Sequence, residues 1–128
     1  MIYVDTSVVL AEILREKKRP MATFWTNQLV SSRLLEYEVT VRLHALQRPT
    51  KAIALAQHFL APMLLFDLDA LTLARALQPF PVSVRTLDAI HLSTMVFLQS
   101  RGITLELATY DVRLARAAVA IGIVRLTM

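Results

Sequence analysis

The sequence predicts an α/β domain built on a mostly parallel sheet. Short apolar runs, some rich in β-branched residues, alternate with longer segments whose apolar residues recur at helical spacing. Proline and glycine stand at the ends of several of these segments. A chain of 128 residues is long enough for one hydrophobic core, so we expect a single domain over residues 1–128.

Five short apolar runs are predicted strands. The first begins the chain and stops at Asp5-Thr6-Ser7, three residue types that favour helix N-termini. The predicted strands are residues 1–4, 29–32, 62–66, 103–108 and 124–126.

Seven segments between these runs are predicted helices. Pro20 fits the first turn of the second helix, and Pro49 ends the third. Asp67 is the predicted cap of the fifth, and Gly122 closes the last. The predicted helices are residues 8–15, a segment beginning near residue 20, and residues 33–47, 50–60, 67–77, 86–99 and 111–121.

The composition excludes several classes of protein. Hydrophobic residues make up 55% of the chain and charged residues 19%, which excludes intrinsic disorder. The absence of cysteine excludes disulfides, thiolate metal sites and a cysteine nucleophile. Because the chain has two glycines, it lacks a glycine-rich phosphate loop of the P-loop or dinucleotide-binding type.

We expect no membrane segment and no signal peptide. The longest run without charge, residues 52–66, is shorter than the about 20 residues that a spanning helix needs. Asp5 and Glu12 interrupt the apolar start, and the basic cluster at residues 15–19 follows that start instead of preceding it. A cytoplasmic protein is the simplest interpretation.

Charge and apolar content bear on the partners. A net charge of +4 with a pI near 10.0 fits a polyanionic partner or solubility alone. A small domain has limited interior, so we expect apolar surface at a homodimer contact, a protein partner or both. The first two predicted helices, which include Phe24 and Trp25, are candidates for such a surface.

Four acids are expected near one edge of the sheet. Asp5 follows the first predicted strand and Asp111 the fourth, and ligands bind beyond the carboxyl ends of parallel strands. Glu38 and Asp88 lie early in predicted helices that can start at the same edge. Four of the chain's ten acids would then form a concentrated negative site.

Each acid also has a structural interpretation. Asp5 and Asp111 can cap helices. The negative charge of Asp88 near a helix N-terminus can interact favourably with the helix dipole, and Glu38 can form an ion pair with Arg42 at i, i+4. Glu38 and Asp88 nevertheless have apolar neighbours in sequence, where an unpaired carboxylate is costly. A divalent cation such as Mg²⁺, which prefers oxygen ligands, would offset that cost. The three histidines have no zinc spacing, and His91 is expected to be a hydrogen-bonded core residue.

The chain contains four motifs in order: residues 2–7, 31–39, 85–92, and 109–114 followed by 121–123. Together they resemble the PIN-domain ribonucleases, and most closely the VapC-type toxins of toxin–antitoxin pairs. The resemblance implies a three-layer α/β/α fold with strand order 3-2-1-4-5. It also implies a Mg²⁺ or Mn²⁺ site and cleavage of RNA that leaves a 5′-phosphate and a 3′-hydroxyl.

The resemblance also implies roles for individual residues. Asp5, Asp88 and Asp111 would hold the metal directly or through water, and Glu38 would complete the catalytic acids. Ser7 and Thr109 match positions that support the site or orient the substrate. Glu36 is the competitor of Glu38, but Glu38 has the better spacing to the arginine that follows it.

The sequence therefore predicts a metal-dependent endoribonuclease and the toxin half of a toxin–antitoxin pair. The expected partners are an RNA substrate, a cognate antitoxin protein and a second copy of the chain. The basic residues nearest in sequence to the acids are candidates for contact with RNA phosphates: Arg33, Arg42, Arg85 and Arg113.

Two alternatives remain open from the sequence. A catalytically inactive PIN-like binding module would keep the fold without the chemistry. A receiver-type signalling domain would need a phosphoacceptor aspartate after the third strand, where Asp67 is available, and a lysine near the last strand. The three lysines, Lys17, Lys18 and Lys51, are not near the last strand.

Overall fold

A sheet of five short parallel strands lies at the centre of the protein, with the first strand in the middle. The computed structural model describes residues 1–47 and 49–128. The strand order is β3-β2-β1-β4-β5, which confirms the expected order and the parallel sheet. The strands are β1 (Ile2–Val4), β2 (Leu29–Ser32), β3 (Leu64–Phe66), β4 (Glu106–Ala108) and β5 (Val124–Arg125).

Six α-helices and two short 3-10 segments connect the strands in the described residues. The 3-10 segments are Ala22–Thr26 and Arg75–Leu77. The helices are α1 (Thr6–Ile13), α2 (Leu34–Ala45), α3 (Thr50–Leu60), α4 (Ala70–Ala74), α5 (Thr86–Ser100) and α6 (Val112–Ala120).

Helices cover both faces of the sheet, because buried side chains of β1 point alternately to one face and the other. Successive side chains of a strand point to opposite faces. Tyr3 accordingly belongs to a buried cluster with α5 and α6, whereas Val4 belongs to a cluster with α1, α2 and α3. Both side chains are fully buried. The expected three-layer arrangement is confirmed.

The helix predicted near residue 20 is instead a 3-10 segment. Local side chains compete for the carbonyls that a longer helix would use. The Thr26 hydroxyl donates to the Thr23 carbonyl at 2.7 Å, and the Asn27 side-chain amide donates to the Phe24 carbonyl at 2.8 Å. Phe24 is buried, and partly buried Trp25 packs on Phe59, so Phe24 is not part of the association surface expected of the first two predicted helices; the rest of that expectation stays a prediction.

The prediction that Asp67 caps the next helix is wrong by two residues. Asp69 caps α4, and its carboxylate accepts a hydrogen bond from the Thr72 backbone N–H at 2.8 Å. Asp67 is exposed and pairs with Arg33 at 3.4 Å. The sequence offers two aspartates with the same capping chemistry, and the path of the chain after β3 selects the second.

The described helices are too short or too polar to cross a membrane, within residues 1–47 and 49–128. The cytoplasmic location stays a prediction.

Candidate active site

The carboxyl ends of β1 and β4 lie side by side and bring two chain segments into contact. Val4 is paired with Ala108, and the Asp5 backbone N–H donates to the Ala108 carbonyl at 3.0 Å. Asp5 and Thr109 are therefore the first residues beyond the paired strands. They lie where α/β folds bind ligands.

Asp5 is buried and is held through one of its two carboxylate oxygens. Its Oδ2 accepts hydrogen bonds from the Ser7 hydroxyl at 2.6 Å, the Thr109 hydroxyl at 2.8 Å and the Ser7 backbone N–H at 3.3 Å. Asp5 also stands at the N-cap of α1, so the capping interpretation holds in geometry. Within the described residues, Oδ1 receives no hydrogen bond and stays available to a ligand.

Ser7 and Thr109 join the Asp5 carboxylate to the loop before α6. The Ser7 hydroxyl accepts the Tyr110 backbone N–H, and the Thr109 hydroxyl accepts the Asp111 backbone N–H, both at 2.9 Å. Each hydroxyl thus donates to Asp5 and accepts from the loop. The two residues matched by resemblance lie together, where they fix Asp5 relative to Asp111.

Asp111 is also held through a single oxygen. Its Oδ1 accepts the backbone N–H groups of Arg113 at 2.9 Å and Leu114 at 3.3 Å, which makes it the N-cap of α6. In the described chain, Oδ2 is not used by this cap. Capping and ligand binding are therefore compatible for Asp5 and Asp111, because each function can use a different oxygen.

Asp88 lies in the first turn of α5 and is half-buried. Burial raises the pKa of its carboxyl, and the negative charges of Asp111 and Asp5 raise it further. Nearby His91 and Arg85 act in the opposite direction, but less strongly. The three aspartates therefore interact electrostatically across three elements of the fold, and the charged form of Asp88 is disfavoured.

Glu38 lies on α2 and is held by two donors on one oxygen. Its Oε1 accepts the Thr6 hydroxyl at 2.9 Å and contacts His91 Nε2 at 2.5 Å. The pair with Arg42 considered from the sequence is replaced by these contacts. Glu36 lies on the exposed side of α2 and pairs with Arg33 at 3.1 Å. These positions favour Glu38 over Glu36 as the acid of the site.

The basic residues differ in their availability. Arg33 pairs with Glu36 and Asp67, and the hydrogen bond that Arg33 donates to Glu36 is the main cause that raises the pKa of Arg33. The other three candidates, Arg42, Arg85 and Arg113, are exposed and lie outside the ion pairs found in residues 1–47 and 49–128.

Sequence reasoning missed the functions of two residues near the site. Thr6 donates to Glu38, and Arg125 on β5 donates from Nη2 to the Thr109 carbonyl at 3.0 Å. Thr6 was visible only as a helix-capping residue type beside Asp5. No local signal identifies Arg125, since its contact depends on the pairing of β4 with β5.

The acids fit a hard divalent cation in donor chemistry. Their carboxylate oxygens are the ligands that Mg²⁺ and Mn²⁺ prefer, and the repulsion and burial that raise the pKa of Asp88 are what a cation relieves. In the part of the chain that is described, no three Asp, Glu or His side chains are close enough to form a preformed metal shell. The assignment of Asp5, Asp88 and Asp111 as ligands stays a prediction.

Comparison with known proteins gives the family. A family model described as PIN domain matches residues 2–120. The chain belongs to the PIN domain family. Two curated relatives, each called Ribonuclease VapC35, come from Mycobacterium tuberculosis strains CDC 1551 / Oshkosh and ATCC 25618 / H37Rv. Each is 29% identical over 128 aligned positions, which cover 96% of this chain and 93% of the relative.

The receiver-type alternative is wrong for this PIN domain. Receiver-like folds of the flavodoxin type have strand order 2-1-3-4-5, which places the third strand beside the first. Here β3 lies at the edge of the sheet and is separated from β1 by β2. Asp67 after β3 is exposed and pairs with Arg33, away from the acids that follow β1 and β4.

The raised pKa of Asp88 predicts a pH-dependent effect of Asp88→Asn on stability in excess chelator. The folded-state pKa lies above the unfolded value, so the group's favourable contribution is complete below the unfolded pKa. That contribution is lost as the pH rises through the folded pKa. At neutral pH we expect Asp88→Asn to be more stable by ~1 kcal/mol, after discounting the repulsion for solvent screening. Urea unfolding from pH 3.5 to 7.5 would measure this.

Asp69→Asn provides a control of opposite sign. Hydrogen bonding from Thr72 lowers the pKa of the Asp69 carboxyl, so its contribution is present at neutral pH and lost in acid. Asparagine also caps helices, which limits other losses. Wild type should therefore match or exceed this variant at pH 7. If Asp88→Asn is the less stable protein at neutral pH, the helix-dipole interpretation of Asp88 is correct instead.

Proposed function

We propose that this PIN domain is a metal-dependent endoribonuclease and the toxin component of a VapBC-type toxin–antitoxin system. The observation that carries the proposal is the electrostatic interaction of half-buried Asp88 with Asp111 and Asp5, which disfavours the charged form of the Asp88 carboxylate. The relatives called Ribonuclease VapC35 support RNA as the substrate. We propose that residues 1–128 act as one catalytic unit.

Asp5, Asp88 and Asp111 would hold a Mg²⁺ or Mn²⁺ ion. Such an ion supplies a water of lowered pKa and a positive charge for the phosphodiester oxygens. Asp5 and Asp111 are anchored through one oxygen each, so their second oxygens can bind without loss of the helix caps. Glu38 completes the acidic set from α2 and is fixed by Thr6 and His91.

Exposed arginines around these acids would bind the RNA backbone. Arg85 immediately precedes α5, which carries Asp88, and Arg113 lies in the first turn of α6 beside Asp111. Arg42 lines the groove that contains Glu38. Their positive charge would offset the repulsion between a polyanion and an acidic site. Arg33 is the weakest candidate because Glu36 and Asp67 already neutralise it.

Cleavage of RNA should require a divalent cation and Glu38 but not Glu36. With bacterial total RNA and a randomised pool of end-labelled oligonucleotides, we expect cleavage in Mg²⁺ or Mn²⁺ and none in excess EDTA. Glu38→Gln should reduce the rate by roughly 100-fold or more, since it removes a charge from the reacting site. Gel analysis and mapping of the new 5′-phosphates would measure both effects.

Glu36→Gln is the matched control, because it makes the same change two residues away on α2. Its side chain pairs with Arg33 at the surface, and such pairs contribute little. Its rate should stay within about twofold of wild type. Full cleavage in excess EDTA would contradict the metal mechanism, and no cleavage under any metal would support an inactive binding module.

We propose that an antitoxin protein binds an apolar groove beside the acids. Exposed apolar side chains from α2 and α5 line it, with Leu10 of α1 behind them. Tyr37 is 61%, Val41 64% and Leu87 47% exposed. Large apolar side chains that are exposed together in this way mark a surface for a protein partner. Since Glu38 lies in the same groove, an apolar segment ending in a cationic residue would complement it.

Val41→Asp should weaken antitoxin binding at least tenfold, since it places a charge in the apolar part of the groove. Val119→Asp on α6 is the control, with similar exposure at 59% and no part in the groove. Calorimetry with the antitoxin protein, identified from the neighbouring open reading frames, would measure the Kd of both variants. An unchanged Kd for Val41→Asp would place the antitoxin elsewhere.

We also propose that the chain forms a homodimer. Leu71 and Leu77 are 69% and 86% exposed, and Leu77 borders a cleft lined by Phe80 and Val82. Apolar surface of this kind is buried in stable assemblies. Light scattering at high micromolar concentration should give twice the 14.4 kDa monomer mass, and Leu77→Asp should shift the mass toward the monomer. A wild-type monomer at that concentration would refute the dimer.

A further inference from the structure

A buried chain of hydrogen bonds connects β1 to Glu38 through α5. The Tyr3 hydroxyl lies 2.7 Å from His91 Nδ1, and His91 Nε2 lies 2.5 Å from Glu38 Oε1. Tyr3 and His91 are 0% and 1% exposed, while the Glu38 side chain is 21% exposed at the mouth of the site. These hydrogen bonds therefore connect the protein interior to a single oxygen of the Glu38 carboxylate.

The Glu38 carboxylate can only accept hydrogen bonds, so Nε2 of His91 carries the hydrogen in its contact with Oε1. The Ser32 backbone N–H donates to the Tyr3 hydroxyl oxygen at 3.2 Å, so the Tyr3 O–H is free to donate to His91 Nδ1. Burial raises the pKa of the Tyr3 phenol far above its ordinary value, so this hydrogen is retained. With Nδ1 as acceptor, the neutral ring carries its hydrogen on Nε2 and donates it to Glu38.

His91 also sets the position of Glu38 relative to Asp88. His91 and Asp88 are three residues apart on α5 and lie on the same face of that helix. Glu38 lies on a different helix, α2, and within the described residues Thr6 is the second side chain that donates to it. The contact between His91 and Glu38 therefore joins the two helices that carry these acids.

We propose that His91, supported by Tyr3, is the positioning residue that orients the Glu38 carboxylate for the reaction. Two donors on Oε1 fix the rotation of the carboxylate and leave Oε2 for the substrate or its bound water. This inference rests on the proposed nuclease function. It assigns no contact with RNA to either residue, since both are buried.

Two amide variants separate this contact from the packing of the ring. His91→Gln places its amide nitrogen near the position of Nε2, so it still donates to Glu38. His91→Asn places its amide near Nδ1, so it reaches Tyr3 but falls short of Glu38. Both replace a buried ring by a buried amide, so both should lower the thermal midpoint. Met95→Ala, which empties a buried position one turn further along α5, is the control for lost stability alone.

The experiment measures kcat and KM on the oligonucleotide that wild type cleaves best from the randomised pool, at a temperature where every variant is folded. We expect His91→Asn to lower kcat roughly 10- to 100-fold with KM little changed, because misplaced reacting groups cost rate more than binding. His91→Gln should recover most of this loss, and Met95→Ala should cleave like wild type.

Nitrogen-15 spectra of the histidine rings in the free protein give a second measurement that needs no cleavage. They should show His91 protonated at Nε2, with its Nδ1 signal shifted in Tyr3→Phe. Protonation of the neutral ring at Nδ1 would overturn the proposal, as would equal kcat values for His91→Asn and His91→Gln. If Met95→Ala loses as much kcat as His91→Asn, the effect is one of stability and the proposal fails. If wild type cleaves no RNA while the spectra agree, the nuclease function fails and the assigned contact stands.

Discussion

The central position of β1 is the constraint on which the rest of the structure depends. Because β1 pairs with both β2 and β4, its end lies beside the ends of two other strands. Its consecutive residues Tyr3, Val4 and Asp5 then have three different surroundings: one helical layer, the other helical layer and the edge of the sheet. A shift of one residue in register would exchange these surroundings and remove Asp5 from the edge.

The acids of the site are held against their own repulsion by hydrogen bonds to single oxygens. Asp5 and Asp111 each accept backbone N–H groups at helix starts, and Glu38 accepts from two side chains. Such donors favour the charged form of a carboxylate, and burial opposes it. Among the described residues, Asp88 is partly buried near two like charges and accepts no comparable hydrogen bond, so the charged form of this carboxylate is disfavoured. The proposed cation would relieve this unfavourable electrostatic energy.

Regular features of the fold follow from the sequence, whereas contacts between distant residues do not. The bounds of β2 and α3 match their predictions, since a short run that begins with apolar residues and a proline before a helix are local signals. Two of the wrong predictions, the helix near residue 20 and the cap at Asp67, concern choices between neighbouring polar groups of equal propensity. Such choices depend on the tertiary path of the following segment, which the local propensity of a residue does not encode.

The sequence predicts that the acids lie near one edge of the sheet, but it does not predict which residues donate hydrogen bonds to them. Glu38 and Glu36 differ by two positions on one helix, and the spacing favoured the residue that faces the site. That His91 is a hydrogen-bonded core residue was also predictable from its apolar stripe. Its partner Glu38 is 53 residues away in sequence, and this pairing requires the packing of α5 against β1 and α2.

The hydrogen bond from Arg125 to the Thr109 carbonyl links the edge strand β5 to the loop that carries Asp111. β5 has two residues and a single neighbouring strand, so it is among the elements expected to open most often through local unfolding. Each opening releases the Arg125 guanidinium from the backbone that precedes Asp111. The loop that carries Asp111 then loses the hydrogen bond from Arg125 and keeps the two that the Ser7 and Thr109 hydroxyls accept. Fraying of β5 would therefore loosen the loop that carries Asp111. Such local opening is slow and is reported by hydrogen exchange.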